Sequence, residues 1–214
     1  MSILTPPVAP TLQDNHEILD TLANRVSQCT QCKLAASRIQ TVFYDGNPNA
    51  RLMLIGEAPG QQEDEQGHPF VGRSGQLLTQ MMASVGIDRK RDTYICNIVK
   101  CRPPGNRKPE ADEMMACSGF LQAQLSIVQP AMILLVGSTA VQGILKIQQG
   151  ITKIRGKWVD YLINTTGNQM TVAQAMPIFH PAYLLRNASM QENSPKWLTL
   201  QDLKAVSEKL KSLR

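Results

Sequence analysis

The chain reads as an α/β protein, and three observations say so. Short apolar segments of strand length alternate with longer segments of helical period. Each strand candidate runs into a turn fixed by Gly or Pro that carries a polar group. The 214 residues, 43% of them hydrophobic, can bury one substantial core, with no internal repeat and no linker. Alternating strands and helices imply a mostly parallel sheet covered on both faces. Residues 1–13 hold Pro6, Pro7 and Pro10 and little that could pack, so they are expected to be a flexible tail before a single domain over 14–214.

Each element has its own justification. Ile18, Leu19, Leu22 and Val26 give a helical period over 16–27. Residues 51–55 are a buried strand closed by Gly56. A Leu and Met face predicts a helix over 74–85, and 93–99 is a second strand. Met114, Cys117, Leu121, Leu125 and Val128 share one side of a long helix over 110–128. A third strand over 131–136 leads into a helix over 138–147. Two strand-like stretches surround 164–171, and 176–179 is a last strand. Ser194-Pro195 is a cap followed by proline at the first helical position, which starts the C-terminal helix.

Charge and hydropathy exclude some classes. The net charge of +5 is compatible with a polyanionic partner without demanding one. The longest apolar stretch, near 131–136, is far too short to span a bilayer. The N-terminus has no basic region, apolar core or cleavage signature, so no secretory signal is expected. Five cysteines fit a reducing, cytoplasmic setting.

Four of those cysteines are the most informative residues. Cys29 and Cys32 form a C-x₂-C pair, with 68 residues from Cys32 to Cys101 and 15 from Cys101 to Cys117. Four thiolates can close an S₄ site that suits zinc or an iron–sulfur cluster. A zinc ribbon would repeat the tight knuckle in its second half. The wide second spacing is that of a cluster cage gathered from distant segments, though buried cysteines with no metal are the plainer alternative. Cys96, inside an apolar run, reads as a small core residue.

In a parallel sheet the site forms outside the carboxyl ends of the strands. The segments there are Gly56-Glu57-Ala58-Pro59-Gly60, Lys100-Cys101-Arg102-Pro103-Pro104, Gly137-Ser138 and His180-Pro181-Ala182-Tyr183. Together with Pro69-Phe70-Val71-Gly72-Arg73-Ser74-Gly75-Gln76-Leu77-Leu78, Asn97-Ile98-Val99, Ile154-Arg155-Gly156-Lys157-Trp158 and Leu184-Leu185-Arg186, they stand in the order of one family. From about Cys29 to its C-terminus the chain resembles the family 4, iron–sulfur uracil-DNA glycosylases.

The resemblance implies an α/β/α sandwich with a central, mostly parallel four-stranded sheet. It implies a [4Fe–4S] cluster on Cys29, Cys32, Cys101 and Cys117. It also implies a monofunctional glycosylase, acting as a monomer in base excision repair, that removes uracil from single- or double-stranded DNA. Phe70 would stack on the flipped base, Asn97 would read its O4/N3 edge, and His180 would donate to O2. Glu57 would orient water or stabilise the sugar cation, with Ala58 and Pro59 lining the pocket. Ala58 stands where many superfamily members carry an aspartate base. Arg102, Arg107, Lys108, Arg155, Lys157 and Arg186 are expected on phosphates, with Lys100 and Lys153 adding charge. Leu184 and Leu185 lie where relatives place a wedge. The acidic run Glu63-Asp64-Glu65 is expected to be a solvated loop. The alternatives are a non-catalytic iron–sulfur DNA-binding or damage-sensing protein and an electron carrier. Intact Glu57, Phe70, Asn97 and His180 argue against the first of these.

Overall fold

The computed structural model describes residues 12–165 and 169–213. Most of the expected N-terminal tail therefore lies outside the described residues. Residues 12 and 13 already belong to the first helix. The elements run α1 (Leu12–Ser27), β1 (Asp45–Gly46), β2 (Leu52–Gly56), α2 (Gln61–Gln66), α3 (Arg73–Ser84), β3 (Thr93–Asn97) and α4 (Ala111–Val128). They continue with β4 (Met132–Val136), α5 (Ser138–Leu145), α6 (Ile151–Ile154), β5 (Val159–Asn164), β6 (Met170–Ile178), α7 (Pro181–Arg186) and α8 (Pro195–Ser212).

Among the described residues the sheet has six strands in the order β1-β3-β2-β4-β6-β5, where four were expected. The four expected strands are the parallel centre, β3-β2-β4-β6. An antiparallel strand is added at each edge. The addition at one edge, β1, is two residues long and too short to show a period. At the other edge the two strand-like stretches and the last strand are really one hairpin, because β6 runs unbroken for nine residues. Pro177 does not interrupt it, since pairing with β5 ends at Val159↔Ala175 and leaves the proline past the end of that ladder.

Successive side chains of a strand point to opposite faces, and both faces here are covered. Met53 and Ile55 pack with Leu19 of α1, Leu121 of α4 and Val141 of α5. Leu52 and Leu54 pack with Leu78 of α3, Leu184 of α7 and Leu203 of α8. This is the three-layer sandwich. Among the described residues no helix is long and apolar enough to cross a membrane.

The chain turns one way from β2 to β3 and the other way from β4 to β6. Between β2 and β4 the outgoing loops diverge and leave a crevice at their carboxyl ends, the place where sheets of this kind bind ligands.

Candidate active site and cysteine cage

A cavity of about 550 Å³ opens at that crevice. Each parallel strand delivers a residue to it as the strand ends: Glu57 after β2, Asn97 at the end of β3, Ser138 after β4 and His180 after β6. Phe70 enters from the loop between α2 and α3, and Ala58 and Pro59 line the wall. The six residues expected to bind substrate thus share one cavity.

Backbone conformation packs them closely. A Cβ on Gly56 would lie 2.4 Å from both the Asn97 Oδ1 and the Phe70 ring, so only glycine lets amide and ring meet there. Gly137, at φ +91°, has the His180 ring against it in the same way. Phe70 sits at φ 54°, in the left-handed region that costs a non-glycine residue energy and persists only where its surroundings enforce it. Arg89 does so: its guanidinium donates to the Pro69 and Phe70 carbonyls and to Thr79 Oγ1, and pairs with Asp45. The Phe70 and His180 ring centroids are 6.4 Å apart.

The acidic run is not a solvated loop. It forms α2, with Glu63 and Asp64 buried and only Glu65 exposed. One Glu63 oxygen accepts from Val71 N at 2.9 Å and Gly72 N at 2.7 Å, the other from Gly60 N at 3.1 Å. One carboxylate therefore clips the Glu57 loop to the Phe70 loop. Asp64 accepts from the backbone of Ile39 and Gln40.

The chemistry of His180 follows from its neighbours. The Ala182 N–H donates to Nδ1 at 3.2 Å, which leaves the proton of a neutral ring on Nε2. Burial pushes its pKa below the ordinary 6.5; Glu57 opposes this and Arg186 adds to it. The ring is thus neutral near pH 7, with one N–H to offer the cavity. Thr139, at the start of α5, donates its hydroxyl to the Glu57 carboxylate. The Asn97 amide has no hydrogen-bond partner among the described residues, so both its donor and its acceptor are open to a ligand.

Behind β3 lies a second, much smaller cavity. It is lined by Cys29 at the end of α1, by Cys32, by Cys101 after β3 and by Cys117 of α4. All four are unpaired thiols, as is Cys96, which is buried in β3 away from the cavity. Among the described residues no three such side chains stand close enough to grip one metal ion. A single zinc would need its sulfurs about 3.8 Å apart, from a Zn–S distance of about 2.3 Å in a tetrahedron. What joins the four cysteines is that they line one apolar hollow. Burial raises the Cys101 thiol to about 11 and the Cys117 thiol in the same direction, and cations oppose the rise at both. One cation is Arg38, whose Nη1 donates to Cys101 Sγ at 3.2 Å. The other is Lys100, which is fully buried and therefore does not contact DNA as its sequence neighbours had implied.

The expected DNA-contacting residues divide. Lys108 and Arg186 line the large cavity, and Lys153 and Lys157 are exposed; Arg107 also lines the cavity but is spent on the buried Glu113 and the Lys108 carbonyl, so it is not free for a phosphate. Arg102 is half-buried and donates to Asn106 Oδ1. Arg155 is not free for a phosphate, because it is spent on the buried Asp202 and the Leu198 carbonyl. Leu184 is no wedge: it is fully buried beneath α7, whereas Leu185, one residue on, is 40% exposed. Sequence reasoning missed Thr139, Arg89 and the true role of Glu63. Glu63 did carry a signal, standing three residues after Gly60 at the start of a short helix, as in a capping box.

The Uracil DNA glycosylase superfamily profile matches residues 43–204. The chain is 41% identical to a type-4 uracil-DNA glycosylase of Thermotoga maritima, over 91% of this chain and 96% of that one. It is 39% identical to one of Saccharolobus solfataricus, over 91% and 87%. A type-5 uracil-DNA glycosylase of Pyrobaculum aerophilum is 32% identical over 60% of this chain and 70% of that one. The chain belongs to the uracil-DNA glycosylase superfamily, and within it to the type-4 branch.

Proposed function

We propose that this protein is a monofunctional DNA glycosylase that hydrolyses the N-glycosidic bond of uracil in DNA, releasing uracil and leaving an abasic site for base excision repair. The observation that carries the reading is the meeting of Glu57, Phe70, Asn97 and His180 in one cavity at the strand ends. A base reaches such a cavity only when turned out of the stack.

The roles follow from chemistry. The Phe70 ring stacks on the pyrimidine. The Asn97 amide donates to O4 and accepts from N3–H. As C1′–N1 breaks, its electron pair leaves with uracil and charge gathers at O2, where the His180 Nε2–H donates. Water then adds at C1′ and gives up one proton, which balances the charge of the uracil anion. Glu57, steadied by Thr139, faces that carbon as a carboxylate that orients the water or stabilises the sugar cation. Exposed Lys108, Arg186 and Lys157 take phosphates, and Leu185, the exposed member of its pair, fills the vacated stack.

Cys29, Cys32, Cys101 and Cys117 would hold a [4Fe–4S] cluster. Such a group supplies structure here, tying α1 and α4 to the loop after β3, since four protein thiolates leave no open position. The wide Cys101 to Cys117 spacing in the sequence and the kinship with type-4 enzymes support that reading over a zinc ribbon. The protein would work as a monomer in the reducing cytoplasm.

Incubation with a uracil-containing oligonucleotide, followed by alkali, tests the activity. Strand scission only after alkali is expected; scission without alkali, or none at all, would contradict it and favour a non-catalytic DNA-binding protein.

A further inference from the structure

Lys100 is a fully buried cation, and the described residues include no carboxylate within ion-pairing distance of it. Its ammonium makes one hydrogen bond, to the Asn97 carbonyl at 2.6 Å, and stands 5.9 Å from the Phe43 ring centre. Lysine is almost never fully buried unless paired, because an unpaired interior charge costs several kcal/mol. The same residue lines the cysteine cavity together with the four sulfurs. Of the groups around it, the four sulfurs are the ones able to supply negative charge, which they acquire when bound to metal. Lys100 therefore stands between the cage and the residue that faces the base edge.

We infer that Lys100 is the counter-cation of a negatively charged, thiolate-held group in the cage, and that through the Asn97 carbonyl it holds Asn97 in position for reading the base. It is a positioning residue, touching neither the base nor the sugar. Arg38, which donates to the Cys101 sulfur, shares the first task but not the second, since its other hydrogen bond goes to the Ser27 carbonyl. The inference rests on the cluster reading above.

The test uses the full chain as purified, in wild-type, K100M, K100R and R38Q forms. Three quantities are measured: iron per chain, midpoint potential of the bound group, and single-turnover uracil release. Removing a positive charge beside an anionic cluster disfavours adding an electron. K100M should therefore lose bound iron, or keep it at a more negative potential. It should also cleave about tenfold more slowly, the scale of one charge-assisted hydrogen bond. K100R should restore most of both losses. R38Q should shift the potential the same way with less effect on cleavage than K100M. K100M matching wild type in iron and potential would overturn the role of Lys100 while leaving the cluster reading intact. R38Q slowing cleavage as much as K100M would overturn the link through Asn97. If neither K100M nor K100R can be recovered folded, the residue serves packing and the inference fails; recovery of K100R alone supports it. Wild-type protein without iron would overturn the cluster reading and this inference with it.

Discussion

The large cavity and the cysteine cage lie on the two sides of the β3 terminus and are built in opposite ways. The cavity is finished by the protein itself. Its glycines make room, Arg89 locks the Phe70 loop, Glu63 clips two loops together, and Ala182 and Thr139 orient His180 and Glu57. Little in it waits for a ligand except the Asn97 amide and the His180 Nε2–H. The cage is the reverse. Its four thiols come from three separate segments, burial opposes ionisation of Cys101 and Cys117, and a buried cation beside them has no carboxylate among the described residues. One region is preorganised for an incoming base; the other is completed by a resident group.

The largest effect that would sharpen this contrast lies in the cage. Cys101→Ala should cost more than about 4 kcal/mol of stability, the scale of losing a structural metal site. It should also abolish broad absorbance near roughly 400 nm, the thiolate-to-iron region. Cys96→Ala should keep the colour and cost about 1 kcal/mol, the loss of one small buried atom. Denaturant titration and absorbance read both. Equal behaviour of the two variants would break the distinction between ligand and core cysteine.

In the cavity, effects should fall on rate. Gly56→Ala places a methyl group 2.4 Å from Asn97 Oδ1 and the Phe70 ring. A displacement near 1 Å costs roughly 10²-fold in rate, so single-turnover cleavage should fall by about that much. An unchanged rate would show that the two side chains need not meet over the strand end.

The two adjacent leucines give a paired test. Leu184→Ala should destabilise by about 2–5 kcal/mol through the cavity it leaves. Leu185→Ala should be nearly neutral for stability and should weaken cleavage of duplex DNA more than of single strands, because only a duplex needs its hole filled. Stability losses of equal size would contradict the placement of these residues.

How far the sequence carried this reading depends on the kind of signal. The parallel centre of the sheet was legible because β2, β3 and β4 are fully buried apolar runs and their helices have clear periods. The strand ends named the cavity residues because position after a parallel strand is itself informative. The margins of the sheet were not legible: β1, at one edge, is two residues long, and β6, which pairs with the other edge strand, contains a proline that single-strand rules read as a break. Burial of charge was not legible either. Lys100, Arg155, Glu63 and Asp64 look like surface residues until the packing that buries them is known. Leu184 and Leu185 are equally apolar, and only the orientation of α7 separates them.

A smaller effect concerns Glu57. Thr139→Val removes its hydroxyl partner with little change in shape, and should slow single-turnover cleavage about tenfold without changing affinity for abasic DNA. Glu57→Gln combined with Thr139→Val should add little to Glu57→Gln alone, because the hydroxyl acts through the carboxylate. Additive losses would place Thr139 in contact with the substrate instead.

The central claim is that a neutral His180, its Nδ1 held by Ala182, stabilises charge on the departing uracil. Single-turnover cleavage by His180→Ala, measured beside its binding to abasic DNA, tests this directly. Loss of one oxyanion donor predicts a fall of roughly 10²–10³ in rate with DNA affinity little changed. A near-normal rate, or a loss explained wholly by weaker binding, would contradict it.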